Sequence, residues 1–479
     1  MTHPDLLGQL SDLQMMMADL LTGVPATAAN TRFHPRLASL AWYFGRSVYR
    51  ELYWLREVLD GDGDLAGRVR QLFAIGEAEA PVERLPPPDH LLAWATQIQD
   101  EHLRRLATPG GLPDSPLLAD DRLAWFLLQE RARDYEAMLW VLLTRRAREE
   151  ALVAIPSPPD TSPAPSPATA PLHATVPGQT LAGSAVIVPS TPPLREGPPL
   201  SPSTPSNPSS PSSPSSPSSP SSPSSLAIRL EPRMPSADAV AITQGHYRVG
   251  SRGEPSAYDN ELPPQAVELS NFRIARWPVT NAEYLAFMED DGYIRREFWD
   301  RDGQSWLASG ETQAPWHWRR DAWGDAWYAL GLNGPVPLSA AEPVAGLSRH
   351  EARAYAAWVA SLGGPLAGAV LQHEYQWEIA ARSGHLQGRG RVWEWCNNPF
   401  HPYPDFAPWP EVQTAPPLAP DQATSPESRS LRAFAAGHGV LRGASLYTQR
   451  CLRRASFRHP ANPDDRFRTA GLRLVFPPA

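Results

Sequence analysis

The residues with the most evident chemical potential are arginines near the C-terminal end of the chain. Arg442, Arg458, Arg466, Arg468 and Arg473 make this region basic, although the whole chain has a formal charge of −8. A guanidinium group binds a carboxylate through two parallel hydrogen bonds, so Arg442, Arg458 and Arg473 are predicted to bind a carboxylate-bearing substrate such as an amino acid. Arginines in a loop-rich region also commonly support the structure, and the sequence leaves both roles open.

Length and composition limit the classes of protein to which the chain can belong. Its 479 residues allow two or three domains at ~100–200 residues each, and 42% hydrophobic residues suffice for ordinary cores. A net acidic chain, with 43 basic and 51 acidic residues, is a poor candidate for nucleic-acid binding. Two cysteines cannot make a disulfide framework, and the sequence has neither an N-terminal signal pattern nor an apolar run of ~20 residues. We therefore expect a soluble cytoplasmic protein without membrane or nucleic-acid partners.

A proline-rich segment divides the chain. Twenty-one of the 55 prolines fall between Pro156 and Pro223, and five consecutive Ser-Ser-Pro triplets end this stretch. Proline removes backbone donors and fixes φ, while serine offers little surface to bury, so residues 154–236 are predicted to be a disordered linker. Proline-rich peptides also bind aromatic grooves and Ser-Pro sites can be phosphorylated, which leaves a recognition role open.

The two flanking regions have different periodicities. Residues 1–153 carry four segments with apolar residues at helical spacing, which predicts an up-and-down four-helix bundle. These segments are Asp5–Leu21, Leu37–Leu59, His90–Leu106 and Leu118–Val153. Residues 237–479 have short strand-like runs, 12 of the 17 tryptophans and two capping boxes, Thr280 with Glu283 and Ser348 with Glu351. This second region is predicted to be an irregular α+β domain.

Six motifs follow one another in the C-terminal region. They are Pro278-Val279-Thr280-Asn281 with Glu283-Tyr284, Pro343-Val344 with Leu347 to Trp358, Gln376 to Arg382, Val392-Trp393-Glu394-Trp395, Arg442-Gly443-Ala444-Ser445, and Ala470 to Leu474. In this order they resemble the formylglycine-generating-enzyme-like superfamily, the sulfatase-modifying factor domain. The resemblance implies a C-type-lectin-like α+β fold for residues 237–479, in which most motif residues serve the scaffold.

The resemblance extends to one branch of that superfamily. Formylglycine-generating enzymes carry two copper-binding cysteines shortly after the Arg-Gly-x-Ser motif, whereas the only cysteine there is Cys451, so copper chemistry is not expected. Residues 42–56 and 129–139 resemble the metal-ligand helices of the ergothioneine- and selenoneine-type sulfoxide synthases, which have an N-terminal DinB-like bundle. That branch implies iron(II), O2, a histidine derivative and a thiol or selenol donor.

The metal site is where the chain departs from the branch. The three positions that hold histidines in the family are Arg46, Glu130 and Asp134, while Glu136 retains the family's glutamate. Side chains at i and i+4 share one helix face, so the three are predicted to meet in one pocket facing the C-terminal domain. Carboxylates alone could hold iron or manganese, but an arginine between them predicts a metal-free, salt-bridged cluster. A relocated site using His34, His90 or His102 is a further alternative.

Two hypotheses for function follow from these residues. The first is an oxidoreductase that forms a C–S or C–Se bond on a histidine derivative, with Tyr403 as a proton or hydrogen-bond donor in the loop that faces substrate in the family. Tyr403 lies between Pro402 and Pro404 and could equally be a packed aromatic. The second hypothesis is a catalytically degenerate, metal-free relative that binds a small molecule or a protein.

Overall fold

The computed structural model describes residues 2–74, 76–77, 80–153, 227–310, 312–321, 326–409 and 429–478. Most of the predicted linker, including its Ser-Ser-Pro repeats, lies outside the described residues. Residues 227–236, predicted as the end of the linker, contact the C-terminal region: the Arg233 amide donates to the Ala282 carbonyl at 2.9 Å, and Ile228 forms a β-bridge with Trp327. No helix among the described residues is long and apolar enough to cross a membrane.

The N-terminal region is helical, as predicted. Its helices are α1 (Pro4–Thr22), α2 (Ala26–Ala29), α3 (Leu40–Glu51), α4 (Asp64–Phe73), α5 (Pro88–Ala107) and α6 (Arg122–Val153), with a π-helical continuation of α3 at Leu52–Val58 and short 3₁₀ turns at Val82–Arg84 and Pro116–Asp121. The Ser39 hydroxyl caps α3 by accepting from the Trp42 amide. The apolar stripe on α3, formed by Leu40, Phe44 and Val48, is fully buried, and the four long helices α1, α3, α5 and α6 pack on one another.

The C-terminal region is an α+β domain, and its described residues form four small sheets. Its strands are β1 (Ala239–Ile242), β2 (Gly245–Val249), β3 (Gln265–Leu269), β4 (Phe272–Ala275), β5 (Trp318–Arg320), β6 (Trp327–Gly331), β7 (Gly334–Pro337), β8 (Val370–Leu371), β9 (Trp393–Pro399), β10 (Gly439–Arg442), β11 (His459–Ala461), β12 (Ala470–Leu472) and β13 (Leu474–Phe476). The orders are β1-β4-β13-β8, β11-β10-β9-β12, β2-β3 and β5-β6-β7. Only the β9–β12 pair is parallel among the described strand pairs.

The α-helices among the described residues of this region are α7 (Asn281–Glu289), α8 (Arg301–Ala308), α9 (Arg349–Ser361), α10 (Glu374–Arg382) and α11 (Arg429–Ala435). Both predicted capping boxes are confirmed. The Thr280 and Ser348 hydroxyls accept from backbone amides at the third position of α7 and α9, and the glutamates there accept from the cap amides. Each box satisfies two amides that the first helical turn would otherwise leave without partners.

Polar contacts join the helical region to the α+β domain. Arg36 donates to Asp465 at 2.8 Å and to Asp464 at 2.9 Å. At the far end of α6, Glu150 accepts from Arg319 at 3.1 Å and from the Tyr328 hydroxyl at 2.8 Å. Helix α6 therefore lies against the α+β domain over much of its 32-residue length.

Candidate functional site

Three carboxylates on α6 form the centre of the candidate site. Glu130 and Asp134 are one helical turn apart, so their side chains share one face of the helix, and Glu136 follows half a turn later. All three are buried, with residue exposures of 6%, 1% and 1%. Burial disfavours the ionised form of a carboxyl group, so each one requires a partner that compensates for lost water.

Arg50 of α3 lies between Glu130 and Asp134. Its Nη2 is 3.0 Å from Glu130 Oε2, and its Nη1 forms a close ion pair with Asp134. The α+β domain completes the cluster, because the Tyr258 hydroxyl donates to Glu130 Oε1 at 3.0 Å. One guanidinium group thus joins two carboxylates of α6 beside a residue from the other domain.

The bridging role predicted for Arg46 falls to Arg50 in the structure. Arg46 lies one turn earlier on α3, where its Nη1 is 3.5 Å from Glu77 and its guanidinium is 4.7 Å from the ring centre of Trp42. The sequence feature that could have identified Arg50 as the bridging residue is its spacing of four residues from Arg46. This spacing places both arginines on one face of α3. The sequence could not show which of the two turns lies opposite Glu130 and Asp134.

The donor set does not fit iron(II). A guanidinium group is always protonated and has no lone pair to donate, and Arg50 places positive charge between the two carboxylates. Non-haem iron sites combine imidazole and carboxylate ligands, and among the described residues no histidine is close enough to these carboxylates to complete such a group. Across the described parts of the chain, no three His, Cys, Asp or Glu side chains are arranged to hold a metal ion.

The histidines considered for a relocated site lie in separate surroundings. His34 packs on the Phe467 ring at 4.5 Å, and burial lowers its pKa to about 4. His102 contacts Glu51 at 3.1 Å inside the helical region, and burial followed by the nearby Arg56 charge lowers its pKa to about 4. His90 is exposed beside Asp89. These positions do not support a shared ligand role.

Glu136 is bound entirely differently from its neighbours on α6. Its Oε1 accepts from Trp393 Nε1, Ser445 Oγ and Thr448 Oγ1, each at 2.8 Å. Burial raises the pKa of this carboxyl, and the three hydrogen bonds partly oppose that rise. Trp393 and Ser445 belong to two of the sequence motifs quoted above, so these motifs serve the contact between the two domains.

The arginines predicted to bind substrate lie in the interior of the α+β domain. Arg442 donates to Glu378 at 2.5 Å, Arg458 donates twice to Glu374 at 2.8 Å, and Arg473 donates twice to Glu394 at 2.8 Å. None of the three arginines is more than 1% exposed. A role in binding a substrate carboxylate stays a prediction that these contacts do not support, because carboxylates of the protein already occupy the guanidinium groups.

Tyr403 is also buried. Its ring lies beneath the Arg458 guanidinium at 4.2 Å, its hydroxyl has no hydrogen-bond partner among the described residues, and burial raises its pKa well above the ordinary value. Such a hydroxyl stays protonated at neutral pH. Its role as a proton donor to substrate stays a prediction.

Parts of the chain are similar in sequence to known proteins. Residues 226–389 match the model of the sulfatase-modifying factor enzyme 1-like domain. The chain contains such a domain. The chain is 30% identical to the hercynine oxygenase of Mycolicibacterium thermoresistibile over 47% of its own length and 54% of that protein. It is 29% identical to the hercynine oxygenase of Mycobacterium tuberculosis over 48% of its length and 58% of that protein.

A formylglycine-generating enzyme from Thermomonospora curvata is also similar, with 33% identity over 34% of this chain and 54% of that enzyme. The chain spans little more than half the length of these relatives. The predicted resemblance to the formylglycine-generating-enzyme-like superfamily is confirmed, and hercynine oxygenases are among the relatives that the chain matches.

Proposed function

We propose that this chain is a metal-free relative of the hercynine oxygenases that binds a small molecule. The observation that carries the proposal is the position of Arg50 between Glu130 and Asp134. A cation that belongs to the protein takes the electrostatic place of a metal ion there. Concave space for a ligand is present, since a cavity of about 580 Å³ lies in the α+β domain and one of about 270 Å³ lies between this domain and α6.

The Arg50 cluster also explains why the helical region stays docked on the α+β domain. The two α6 carboxylates need the guanidinium charge, since breaking a buried pair typically costs about 3–5 kcal/mol. Tyr258 then fixes Glu130 from the opposite domain. A metal ion entering this position would have to displace Arg50 from both carboxylates. The cluster thus serves domain docking, which holds the α6 wall of the smaller cavity in place.

Iron-dependent chemistry is the second candidate, and the similarity to hercynine oxygenases favours it. It would join a thiol or selenol donor to a histidine derivative with O2, as the resemblance implies. The retained Glu136 agrees with this candidate, but the donor set around Arg50 does not.

Metal analysis of the full chain tests the proposal. Protein incubated anaerobically with iron(II) and then desalted should retain far less than one iron per chain. It should show no O2 uptake that depends on both hercynine and a thiol. One bound iron per chain together with such O2 uptake would overturn the metal-free proposal.

A pair of variants makes the test specific to the cluster. Arg50→His replaces the cation by an imidazole beside two carboxylates, so the variant should gain affinity for divalent metal ions. Arg46→His is the matched control, because Arg50 still neutralises Glu130 and Asp134 in that variant. Equal metal binding by both variants would show that Arg50 does not control the site.

A further inference from the structure

The cavity of about 270 Å³ lies between α6 and the α+β domain, away from the Arg50 cluster. Leu143 of α6 forms part of its wall, and Trp318, Val392 and Tyr447 contribute further apolar surface. Its volume equals roughly nine water molecules at ~30 Å³ each, which is the size of a small metabolite. Polar side chains interrupt this apolar lining, among them His317 and Thr469.

His317 has a fixed position in the cavity wall, and the described residues leave its ring nitrogens without hydrogen bonds of normal geometry. The residue is 6% exposed, and neither ring nitrogen has a hydrogen-bond partner of normal geometry among the described residues, although the Arg468 carbonyl lies near enough to favour protonation slightly. Gly346 has φ +83°, and a Cβ there would lie 2.6 Å from the His317 ring, so this glycine makes room for the imidazole. The ring is therefore positioned without being hydrogen-bonded.

The part of the cavity beside His317 is suited to an uncharged group. Burial, followed by the charge of Arg319, lowers the pKa of His317 to about 3, so the neutral ring offers one donor and one acceptor. The Thr469 hydroxyl is a second buried polar group without a hydrogen-bond partner in the described structure. Buried polar atoms in folded proteins are nearly always hydrogen-bonded, so two unsatisfied groups on one cavity point to a ligand.

The rim of the cavity carries both signs of charge. Arg391 Nε lies 3.2 Å from Glu342 Oε2, and the two side chains are 43% and 46% exposed. An exposed pair of this kind contributes little stability, so its members can exchange partners easily. Glu342, Pro343 and Arg391 also line the adjacent cavity of about 580 Å³, so the two cavities meet at this partly exposed ion pair.

We propose that this cavity binds a small zwitterion with an uncharged polar end. Its carboxylate pairs with Arg391, its cationic nitrogen pairs with Glu342, and its polar end hydrogen-bonds His317 and Thr469. An anion alone would leave Glu342 without its partner, and a cation alone would leave Arg391 without one, whereas a zwitterion satisfies both. The inference rests on the proposed small-molecule-binding function and names the site and ligand class for it.

Calorimetric titration of the full chain at pH 8 tests the ligand class. The probes are serine, threonine, asparagine, glutamine, tyrosine and histidine, all zwitterions with uncharged polar ends. We expect at least one to bind with one site per chain. Its N-acetyl derivative, which lacks the cationic nitrogen, and norleucine, which lacks the polar end, should each bind at least about 10-fold more weakly. Absence of saturable binding by all six probes would overturn the proposal.

Variants then locate the site. Thr469→Val keeps the side-chain shape and removes the hydroxyl, so affinity for the bound probe should fall about 5- to 10-fold with little change in melting temperature. Arg391→Gln should weaken binding by at least about 10-fold, and Glu342→Gln should abolish the preference over the N-acetyl derivative. His246→Gln, at an exposed position on β2, is the control and should bind as the unaltered chain does.

The outcomes separate this inference from the proposed function. Zwitterion binding that Thr469→Val and Arg391→Gln leave unchanged would place the ligand elsewhere, and the binding function would stand without this site. Stoichiometric iron with hercynine-dependent O2 uptake would overturn the metal-free function. The Thr469 and Arg391 variants would still report on the cavity in that case.

Discussion

Glu136, a carboxylate at the junction of the two domains, and Glu374, a carboxylate inside the α+β domain, have partners of opposite kinds. Glu136, at the junction, accepts from three uncharged donors, and burial raises its pKa. Glu374, in the domain interior, faces Arg458 and Arg442. Burial also opposes ionisation of Glu374, but these two charges outweigh burial and lower its pKa. The pKa values of two equally buried carboxyl groups are therefore shifted in opposite directions. The charge of the partner decides the direction of the pKa shift.

The difference follows from what each region must do. Inside the α+β domain, Arg442 is placed by β10 and Glu378 by α10, so their ion pair forms with the fold itself. At the junction, a charged partner for Glu136 would have to lose its water each time the helical region docks. Hydroxyl and indole donors lose less hydration on burial. Uncharged donors are therefore suited to a contact between two units.

Removing a charge from the interior should produce the largest effect. Arg442→Leu leaves Glu378 with only the partly exposed Arg382 as a charged partner in the described structure, and it removes one of the two arginines that face Glu374, so the free energy of unfolding should fall by about 3–5 kcal/mol. Guanidinium or urea denaturation followed by tryptophan fluorescence measures this change. Arg382→Leu is the matched control, because Arg382 pairs with the same Glu378 from a position with 30% side-chain exposure.

The control should lose no more than about 1 kcal/mol. Equal losses from both substitutions would mean that burial does not distinguish the two arginines. A small loss from Arg442→Leu alone would reopen the substrate-binding role predicted for Arg442.

Local patterns in the sequence predicted the elements better than the site. The capping boxes at Thr280 and Ser348 and the apolar stripe of α3 are written in residues a few positions apart, so periodicity and cap chemistry suffice to find them. The ion-pair partner of a buried arginine, by contrast, cannot be found from such local patterns. Glu378 lies 64 residues from Arg442, and nothing in the spacing of either residue shows that strand and helix bring them together.

Contacts between distant parts of the sequence also decide the arrangement of the α6 cluster. Sequence reasoning placed an arginine beside Glu130 and Asp134, but the choice between Arg46 and Arg50 depends on how α3 is rotated against α6. The contact of Glu136 with Ser445 and Thr448 joins residues more than 300 positions apart. Such contacts are set by domain docking, which no local pattern encodes.

Removing donors from the junction should produce an intermediate effect. The double substitution Ser445→Ala with Thr448→Val leaves Glu136 with the Trp393 indole alone among the three donors described above. The free energy of unfolding should fall by about 2–3 kcal/mol, since a buried carboxylate loses two hydrogen bonds. Denaturation measures the loss, and Thr243→Val at an exposed position is the control. A loss in the free energy of unfolding as large as that of Arg442→Leu would show that uncharged donors at the junction stabilise the fold as much as charged donors in the interior.

The pH dependence of Glu136 should give the smallest effect and the sharpest contrast with Glu374. Because the folded state raises the pKa of Glu136 above its ordinary 4.5, the folded chain binds this proton more tightly than the unfolded chain. Stability from this group is therefore present below pH 4.5 and is lost as pH rises through the folded pKa. Glu136→Gln removes the titration, so the variant should gain stability relative to the unaltered chain as pH rises from 4 to 7. Denaturation series at matched pH values measure the difference, in which other titrating groups cancel. The opposite slope would show that the pKa of Glu136 is lowered, as that of Glu374 is, and that the junction is stabilised by a charge.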